Sequence, residues 1–443
     1  MNNFTIELKH ELPCYLEIYY ALKNQMDQGI LKSDEKMPSK RILAKNLGIS
    51  INTVMNAYAL LLDEGYIYAI EKKGYYVSKQ ELITISKPVD THPSIKPKSY
   101  RYDLTTQNND LLKISKSSFQ KTIKEVLSND DFYTKTTLEG NLDLRKAISK
   151  HLLENRGMQV SYEQIIIGSG IEMLENLFPI INLDTYILEN PGYHKLSSML
   201  ENKGYKIEYL SLDKEGILSP TKPCVLYTTP FNQFPTGVKM TIRRKKELIQ
   251  WTNQNDSYII EDDFDAEFRI SGAPTTSLYT LDPNRVIFFS TFSTTLFSGI
   301  KMAYMILSKP LLKAYQKRYQ AYSNPVSSLN QQILYHFITS GAYARHINRL
   351  KHQLQIKRNT IIEALKECPN IKLDTKRNFL SIIIKINTDK DIKALLEESS
   401  IKIQSISDYD IYKNQTNEYL IGYTNIDNSS LIEALEIIKE KAQ

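Results

Sequence analysis

Apolar residues in the first eighty positions recur every three or four residues in three separate stretches. The first stretch runs from 13 to 31 and predicts an amphipathic helix that ends near Gly29. Its apolar positions are Leu16, Tyr19, Tyr20, Leu22 and Met26. One side of this helix is therefore expected to be buried.

The second and third stretches begin at serines that suit helix caps. Ser39 follows a proline and opens a second helix, which runs to Leu47 and which Gly48 would end. Ser50 opens a third helix, whose apolar positions lie at i, i+3, i+4 and i+7 and are Val54, Ala57, Tyr58 and Leu61. The third helix therefore has one face that is expected to join a core.

A hairpin is predicted after the third helix. Aromatic and β-branched residues at 66–70 and 75–78 suit two short strands. The turn between them carries Lys72, Lys73 and Gly74. Three short helices followed by a hairpin are the order of a winged helix-turn-helix.

The pattern changes near residue 101. Three prolines and few apolar residues at 86–101 predict an extended linker, with an ordered surface loop as the alternative. Short apolar runs then alternate with helical patterns, which predicts an α/β domain around a largely parallel sheet. The predicted strands are 165–168, 185–189, 206–210, 224–228, 258–261, 286–289 and 302–307. The predicted layout is a winged helix-turn-helix at 1–80, a linker at 81–101 and an α/β domain at 102–443.

Composition narrows the class of protein. A chain of 443 residues is too long for one ordinary core. Its three cysteines, Cys14, Cys224 and Cys368, lie far apart, which argues against a disulfide framework and against a zinc site. The sequence has no apolar run of 18 residues and no signal-peptide core near its start. A cytoplasmic protein without membrane contact is expected.

Polar residues on the third helix predict contact with nucleic acid. Asn52 and Asn56 share the side opposite the apolar face, and four basic residues without an acid lie between 36 and 45. A helix fits the major groove of B-DNA, where amides read base edges, and lysines of a wing reach phosphates. The alternative is that these basic residues are ordinary solvated surface. The full order of caps, helices and basic hairpin favours DNA binding.

The run MPSKRILAKNLGISINTVMNAYALLLDEGYI resembles the winged helix-turn-helix of the GntR superfamily, whose pattern combines PSxRxLA, LG(V/I)S and TVxxAYxxLxxEG. The resemblance implies that double-stranded operator DNA is the partner. The implied DNA-binding residues are Ser39, Arg41, Ser50, Asn52, Thr53, Asn56, Lys72, Lys73 and Gly74. The family often has arginine directly after the turn serine, whereas this chain has Ile51.

Glycines and polar residues follow several predicted strands, at the sheet edge where α/β folds bind ligands. The segments are GSG at 168–170, NPGY at 190–193, TPFNQFPTG at 229–237, EDDFD at 261–265 and STFST at 290–294. A glycine turn that enters a helix can present N–H groups to a phosphate, although GSG alone is most often a tight turn. The segments together indicate one ligand site.

In this order the segments resemble the fold-type I aminotransferases, most closely the aminotransferase-like half of MocR-type regulators, which join a GntR head to this domain. The resemblance implies a pyridoxal phosphate pocket in which Asp262 faces the ring nitrogen and Tyr193 stacks on the ring. The implied pocket residues are Ser169, Gly170, Tyr193, Asn232, Asp262, Phe264, Thr291, Ser293, Thr294 and Lys301. No metal is implied.

Thr294 stands where the resembled family has its Schiff-base lysine. A threonine hydroxyl cannot form that bond to pyridoxal phosphate or supply the amine that moves protons in transamination. Phe264 replaces a tyrosine and Lys301 an arginine, which removes a hydrogen bond worth roughly 1 kcal/mol and a forked phosphate contact. No catalytic residue and no covalently bound cofactor is expected, and noncovalent pyridoxal phosphate or another small effector stays open.

Three functions are compatible with these features. The expected one is a DNA-binding transcriptional regulator whose large domain forms a homodimer, with swapped DNA-binding heads, and senses a small effector without catalysis. The second is a working pyridoxal phosphate-dependent aminotransferase with a DNA-binding head, which requires an amine at position 294. The third is a regulator whose large domain is only a dimerisation scaffold with a closed pocket.

Overall fold

The computed structural model describes residues 6, 8, 12–79, 99–106, 114–133, 135–265, 267–268, 276–375 and 380–443. The chain divides into two compact units, Met1–Pro97 and Lys98–Gln443. Most of the predicted linker lies outside the described residues.

The first unit contains the predicted three helices and hairpin. These are α1 (Cys14–Asp27), α2 (Lys40–Leu47), α3 (Ile51–Asp63), β1 (Ile67–Ile70) and β2 (Gly74–Val77). Ser39 and Ser50 are the N-caps of α2 and α3, as predicted, and Gly48 adopts the left-handed conformation that ends α2. The buried faces of α1 and α3 pack together, so one small core holds the unit.

The second unit alternates helices and strands, with an additional antiparallel region near its end. Its helices are α4 (Lys116–Leu127), α5 (Leu142–Arg156), α6 (Lys195–Glu201), α7 (Ile242–Gln254), α8 (Leu278–Leu281), α9 (Lys309–Tyr319), α10 (Ser328–Thr339), α11 (Ala342–Leu365), α12 (Ile392–Glu398) and α13 (Asn428–Ala442). Its strands are β3 (Tyr102–Asp103), β4 (Ile165–Gly168), β5 (Thr185–Asn190), β6 (Lys206–Asp213), β7 (Gly216–Ile217), β8 (Val225–Thr228), β9 (Tyr258–Asp262), β10 (Val286–Thr291), β11 (Ala303–Ile306), β12 (Ile371–Asp374), β13 (Ser381–Ile386), β14 (Ile401–Lys402), β15 (Gln404–Ser405) and β16 (Glu418–Gly422).

Among the described residues, the central sheet has eight strands in the order β4-β11-β10-β9-β8-β5-β6-β7. β6, β5, β8, β9 and β10 pair in parallel, whereas β11 runs antiparallel to both β10 and β4. Alternate residues of the strands enter two hydrophobic clusters on opposite faces, since Ile165 and Ile167 join one cluster and Ile166 the other. The predicted α/β class with a mostly parallel sheet is confirmed.

A second sheet, which the hydrophobic pattern did not predict, lies after α11. Strands β12, β13, β16 and β15 form it in that order, all antiparallel. One face packs under α11, α12 and α13. On the other face, Ile383 and Leu420 pack with Tyr409. Phe234, from the segment that follows β8 of the large sheet, packs against this group. Phe234 and Tyr409 form part of the wall of a cavity in the second unit.

Within the described ranges, no helix is both long and apolar enough to cross a bilayer.

Candidate functional sites

The predicted DNA-binding residues lie on one side of the first unit's helices and on its hairpin turn. Arg41 on α2 and Asn52 and Asn56 on α3 are exposed, and Thr53 is half-buried. Opposite them, α3 buries Val54, Ala57, Tyr58 and Leu61. The Tyr58 hydroxyl donates to the carbonyl of Pro38, 2.9 Å away, which fixes α3 against the residues that precede α2. The amides are therefore presented by a helix whose own position is fixed from behind.

Two of the predicted DNA-binding hydroxyls, those of Ser39 and Ser50, also cap helices. Ser39 Oγ accepts a hydrogen bond from the N–H of Ile42, and Ser50 Oγ accepts one from the N–H of Thr53 at 3.2 Å. The hydroxyls of Ser50 and Thr53 are 2.8 Å apart. A serine cap accepts through its lone pairs and keeps one O–H to donate. Ser39 can therefore cap a helix and still donate to a phosphate, and so can one of the two hydroxyls of Ser50 and Thr53, since the other donates within that pair.

The hairpin turn places two lysines at its tip. Lys72 and Lys73 are exposed, and the turn is tight because Lys72 has φ of 61° and Gly74 has φ of 113°. Tyr68 and Tyr76 stack across the two strands with ring centroids 5.8 Å apart. The strands thus support the exposed lysines on a short, ordered ribbon.

A cavity of about 590 Å³ lies in the second unit at the carboxyl ends of the parallel strands. Most of the predicted pocket residues line it, namely Gly170, Tyr193, Asp262, Phe264, Thr291, Ser293, Thr294 and Lys301. Ser169 and Asn232 are not among the lining residues. Asn232 is buried and donates to a carboxylate oxygen of Asp265 at 2.9 Å, which holds its amide away from the cavity. Their roles in ligand binding stay predictions.

Asp262 ends β9 at the floor of the cavity. Its Oδ2 accepts a short hydrogen bond from the hydroxyl of Tyr227, while its buried Oδ1 accepts none from the described residues. Burial raises the pKa of Asp262 to about 7, with the nearby charges of Asp263 and Glu189 adding to the rise and the Tyr227 hydrogen bond opposing it. A buried acceptor without a partner is a place where a ligand N–H would be stabilised.

Aromatic rings form the walls above Asp262. Phe234 makes edge-to-face contacts with Phe264 at 6.4 Å and with Tyr409 at 4.7 Å, and Tyr193 lies 6.4 Å from Phe234. Tyr193 remains 39% exposed, so its ring has area left to cover. The walls suit a flat ring that would stack or insert between them.

One end of the cavity carries charges that the sequence patterns did not single out. Lys195 donates to Glu172 at 2.5 Å, and both residues line the cavity together with Lys301. The carboxylate of Glu172 folds over the GSG turn, since a Cβ placed on Gly170 would lie 2.7 Å from Glu172 Oε2. Burial acts to raise the pKa of Glu172, but the hydrogen bond from Lys195, a backbone hydrogen bond and the charges of Lys195 and Lys301 together outweigh burial and lower that pKa. The sequence offered one signal for these two cavity residues: Glu172 lies two positions after Gly170, and Lys195 lies two positions after Tyr193.

The turn after β10 brings three hydroxyls to the same cavity. Thr291, Ser293 and Thr294 all line it. The N–H of Ser293 donates to Thr291 Oγ1 at 3.1 Å, and that hydroxyl donates to the carbonyl of Met302 at 3.3 Å. This part of the wall offers polar groups that are neutral and not nucleophilic by themselves.

Ionic groups are also buried behind the cavity floor. Arg156 and Asp263 form an ion pair at 2.5 Å, and their side chains are 6% and 2% exposed. Burial raises the pKa of Asp265 to about 8, with Asn232 opposing the rise. Glu189 accepts from the hydroxyls of Thr228 and Thr229. These contacts fix the ends of β5, β8 and β9 against one another.

Among the described residues, no group of acids, histidines and cysteines has the arrangement of a metal site.

Both halves of the chain match known families. The family described as "Aminotransferase class I and II" matches residues 101–437, and "Bacterial regulatory proteins, gntR family" matches residues 14–77. The "Uncharacterized HTH-type transcriptional regulator YdeL" of Bacillus subtilis (strain 168) is 31% identical over 453 residues, which cover 97% of this chain and 96% of that protein.

Two further comparisons bear on the large unit. The "HTH-type pyridoxine biosynthesis transcriptional regulator PdxR" of Corynebacterium glutamicum is 27% identical, with 93% of this chain and 92% of that protein covered. A kynurenine aminotransferase structure from Pyrococcus horikoshii superposes with a TM-score of 0.67 at 22% identity, covering 78% of this chain and 91% of that chain, which shows a shared fold. From these matches and the fold, the chain belongs to the MocR-type transcriptional regulators of the GntR superfamily, which join a winged helix-turn-helix to a fold-type I aminotransferase domain.

Proposed function

We propose that the protein binds operator DNA as a homodimer and holds a small ligand in the cavity of its large unit without transaminating it. The observation that carries the ligand proposal is the pairing of two features of one cavity. Asp262 Oδ1 is a buried acceptor without a partner among the described residues, and the residue at the turn after β10 is Thr294. The first feature favours binding, and the second argues against covalent chemistry.

The DNA half of the proposal is supported by the surface of the first unit. Arg41 and the two asparagines are exposed on helices, and Lys72 and Lys73 are exposed on the hairpin turn. Side-chain amides suit base edges, and lysines suit phosphates. Two copies of this unit in a dimer would read paired half-sites.

The cavity fits the ring of pyridoxal phosphate at Asp262. When bound, this cofactor supplies an electron-withdrawing ring and an aldehyde. Asp262 Oδ1 would accept a hydrogen bond from the ring N–H, and Tyr227 would keep the carboxylate oriented through Oδ2. Tyr193 and Phe264 would contact the ring. The residues therefore fit a noncovalently held pyridine ring.

The charged end of the cavity fits a phosphate less directly. Lys301 and Lys195 supply positive charges. Lys195, however, already donates to the carboxylate of Glu172, which lies over the GSG turn. A phosphate would bind there after the Glu172 carboxylate moves aside. Thr294 can donate or accept a hydrogen bond, but its hydroxyl cannot supply the amine that transamination requires.

The cavity also supports one of the two regulator hypotheses over the other. A large unit that served only as a dimerisation scaffold would gain stability by filling this space. A volume of about 590 Å³ with a buried unpartnered carboxylate oxygen instead supports a ligand. Effector binding is therefore favoured over the closed-scaffold alternative.

Spectroscopy of the full chain tests the ligand proposal. Pyridoxal phosphate should bind reversibly, and borohydride should fix none of it to the protein, as measured by absorbance and by mass spectrometry of the tryptic peptides. A borohydride-fixed adduct on Lys301 or Lys195, the two lysines that line the cavity, would overturn the noncatalytic assignment. Fluorescence anisotropy with duplexes from upstream of the gene tests the DNA half, and affinity should fall steeply with salt.

A further inference from the structure

The exposed face of α3 combines two chemistries in parallel rows. Ile51 and Met55 form one row and are 47% and 43% exposed. Asn52 and Asn56 form the adjacent row and are also exposed. Each row has i, i+4 spacing, so its two members lie on the same side of the helix, about 6 Å apart along the axis.

Charged groups are absent from this part of the helix. No residue from 51 to 59 is charged, and Arg41 on α2 is the single arginine in residues 1–97. An arginine is the side chain that most often reads guanine, through a forked contact with O6 and N7. The face of α3 has no such group. Exposed Lys45, Lys72 and Lys73 instead supply cations beside it for the phosphates.

The two rows match the major-groove edge of an A·T pair. Adenine presents N7 and its N6 amino group, which an asparagine amide can contact as acceptor and donor. Thymine presents a methyl group, which an apolar side chain contacts. These groups share the major-groove edge of each A·T pair, with thymine O4 between them, and the amide and apolar rows likewise share the exposed side of α3. A spacing of about 6 Å covers roughly two base-pair steps of 3.4 Å.

We propose that Ile51 and Met55 are specificity-determining residues that contact thymine methyl groups, so that α3 reads a short run of A·T pairs in each operator half-site. This inference rests on the proposed DNA-binding function. Asparagines alone would predict only a preference for adenine, whereas the apolar pair also predicts contact with the thymine methyl groups. Ile51 and Met55 lie between the asparagine row and the buried face of α3, and each leaves nearly half of its side chain exposed for a base contact.

The test begins with selection of duplexes from a random library by the full-length protein, followed by replacement of single thymines with deoxyuridine. Deoxyuridine keeps the base-pairing groups and lacks only the methyl. The selected half-site core should be A·T-rich, and each contacted thymine should lose about fourfold in affinity on replacement, the value expected for one buried methyl group.

Variants of the helix then assign the contact. Ile51→Ala and Met55→Ala should each weaken binding and abolish the deoxyuridine effect at one thymine position, while leaving the other position sensitive. Leu62→Ala is the matched control, because Leu62 is an equally exposed apolar residue (40%) near the opposite end of α3. It should retain the full deoxyuridine effect at every position. Urea unfolding of each variant should match wild type.

The outcomes separate this inference from the function on which it rests. Absence of any sequence-specific duplex would overturn both. Specific binding to a G·C core, or wild-type binding that is insensitive to deoxyuridine, would overturn the assignment of Ile51 and Met55 and leave the DNA-binding function intact.

Discussion

The DNA surface and the ligand cavity place their binding residues in opposite environments. On α2 and α3 the amides and the guanidinium are exposed, and the helices are held by residues on their other faces. In the cavity, Asp262 and its neighbours are buried and bonded to one another. A substitution on the first surface should therefore change recognition alone. A substitution in the second region should change stability as well, because the same contacts hold the sheet ends.

The largest effect is expected for the buried ion pair behind the cavity. Arg156→Met leaves the carboxylate of Asp263 buried and uncompensated, which should lower the free energy of unfolding by about 3–5 kcal/mol. Trp251 is the single tryptophan and lies in the second unit, so its fluorescence in urea reports that unit. Arg243→Met is the control, because Arg243 is 65% exposed and pairs at the surface with Glu215 and Glu247, so its replacement should cost only about 1 kcal/mol. Equal midpoints for the two variants would contradict the contrast.

The exposed amides provide the opposite case. Asn52→Ala should cost about 1–3 kcal/mol of discrimination between the selected duplex and a scrambled one, with no change in the urea midpoint. Anisotropy titrations measure the first quantity, and far-UV circular dichroism of the full chain in urea, which includes the helices of the first unit, measures the second. Asn202→Ala, an exposed asparagine of the second unit, should alter neither. If Asn52→Ala kept wild-type affinity and preference, α3 would not be the helix that reads the operator.

The pH dependence of ligand binding distinguishes Asp262 from the neutral groups of the cavity. With a pKa of about 7, its carboxyl is mostly protonated at pH 6 and mostly ionised at pH 8. Only the ionised form stabilises a positively charged ring nitrogen, so affinity for pyridoxal phosphate should rise by about tenfold over that range. Asp262→Asn should bind pyridoxal phosphate more weakly, and its affinity should stay constant between pH 6 and pH 8.

The same raised pKa affects stability with the opposite sign. The unfolded chain loses this proton near pH 4, whereas the folded chain retains it to about pH 7. The folded state therefore binds more protons between these values, and the ligand-free protein should lose stability as pH rises through the window. Asp262→Asn should be the more stable protein at pH 8. If wild type instead gained stability over this pH range and Asp262→Asn did not, the raised pKa assigned to Asp262 would be wrong.

Glu172 should act as an internal competitor for phosphate. Glu172→Gln removes the carboxylate that holds Lys195 and should raise affinity for pyridoxal phosphate by about tenfold, close to the value of one charge-assisted hydrogen bond. Calorimetry with pyridoxal phosphate and with inorganic phosphate measures the change. Glu172 and Glu175 both lie on a short 3-10 helix, Ile171–Asn176. Glu175→Gln is the control, because Glu175 pairs with Lys203 and is not a lining residue of the cavity. Unchanged affinity in Glu172→Gln would place the phosphate group elsewhere.

Restoring the amine gives the smallest expected gain in affinity. Thr294→Lys should allow borohydride to fix pyridoxal phosphate at residue 294, and Ser298→Lys, which also places a lysine on the lining, should not. Adding Phe264→Tyr should strengthen binding by roughly 1 kcal/mol, and Lys301→Arg should add a forked contact. These gains share one ligand and need not be additive. Failure of every variant to be modified would show that the cavity is shaped for a different ligand.

The fold was predictable from the sequence wherever local signals sufficed. Serine caps located α2 and α3, and apolar runs located the strands of the large sheet within a few residues. The rule that ligands lie at strand ends brought Asp262, Thr291 and Gly170 to one cavity. Each of these signals is contained within about ten residues.

The remaining features depend on contacts between distant parts of the chain. Tyr409 reaches the cavity wall through the second sheet, and nothing near it in sequence predicts that. Asn232 lies in the expected motif, but its amide binds Asp265 instead of lining the cavity. The orientation of Asn232 depends on burial of that carboxylate, which only the assembled fold determines. The pairing of Glu172 with Lys195 likewise joins the segment after β4 to the start of α6.

The antiparallel direction of β11 limits which sequence changes could alter the rim of the cavity. Ala303 pairs with Gly168 on one side and with Thr291 on the other, so the start of this strand lies between the two loops that shape the charged end. Lys301, two residues earlier, is carried to the rim by that pairing. Residues added at Ser298 and Gly299, which are exposed between the buried Leu296 and Ile300, would enlarge the rim. A shift of one residue along β11 would instead exchange the faces of Tyr304 and Met305 and disrupt both hydrophobic clusters. New ligand preferences could therefore arise in this lineage through loop length while the sheet register stays constant.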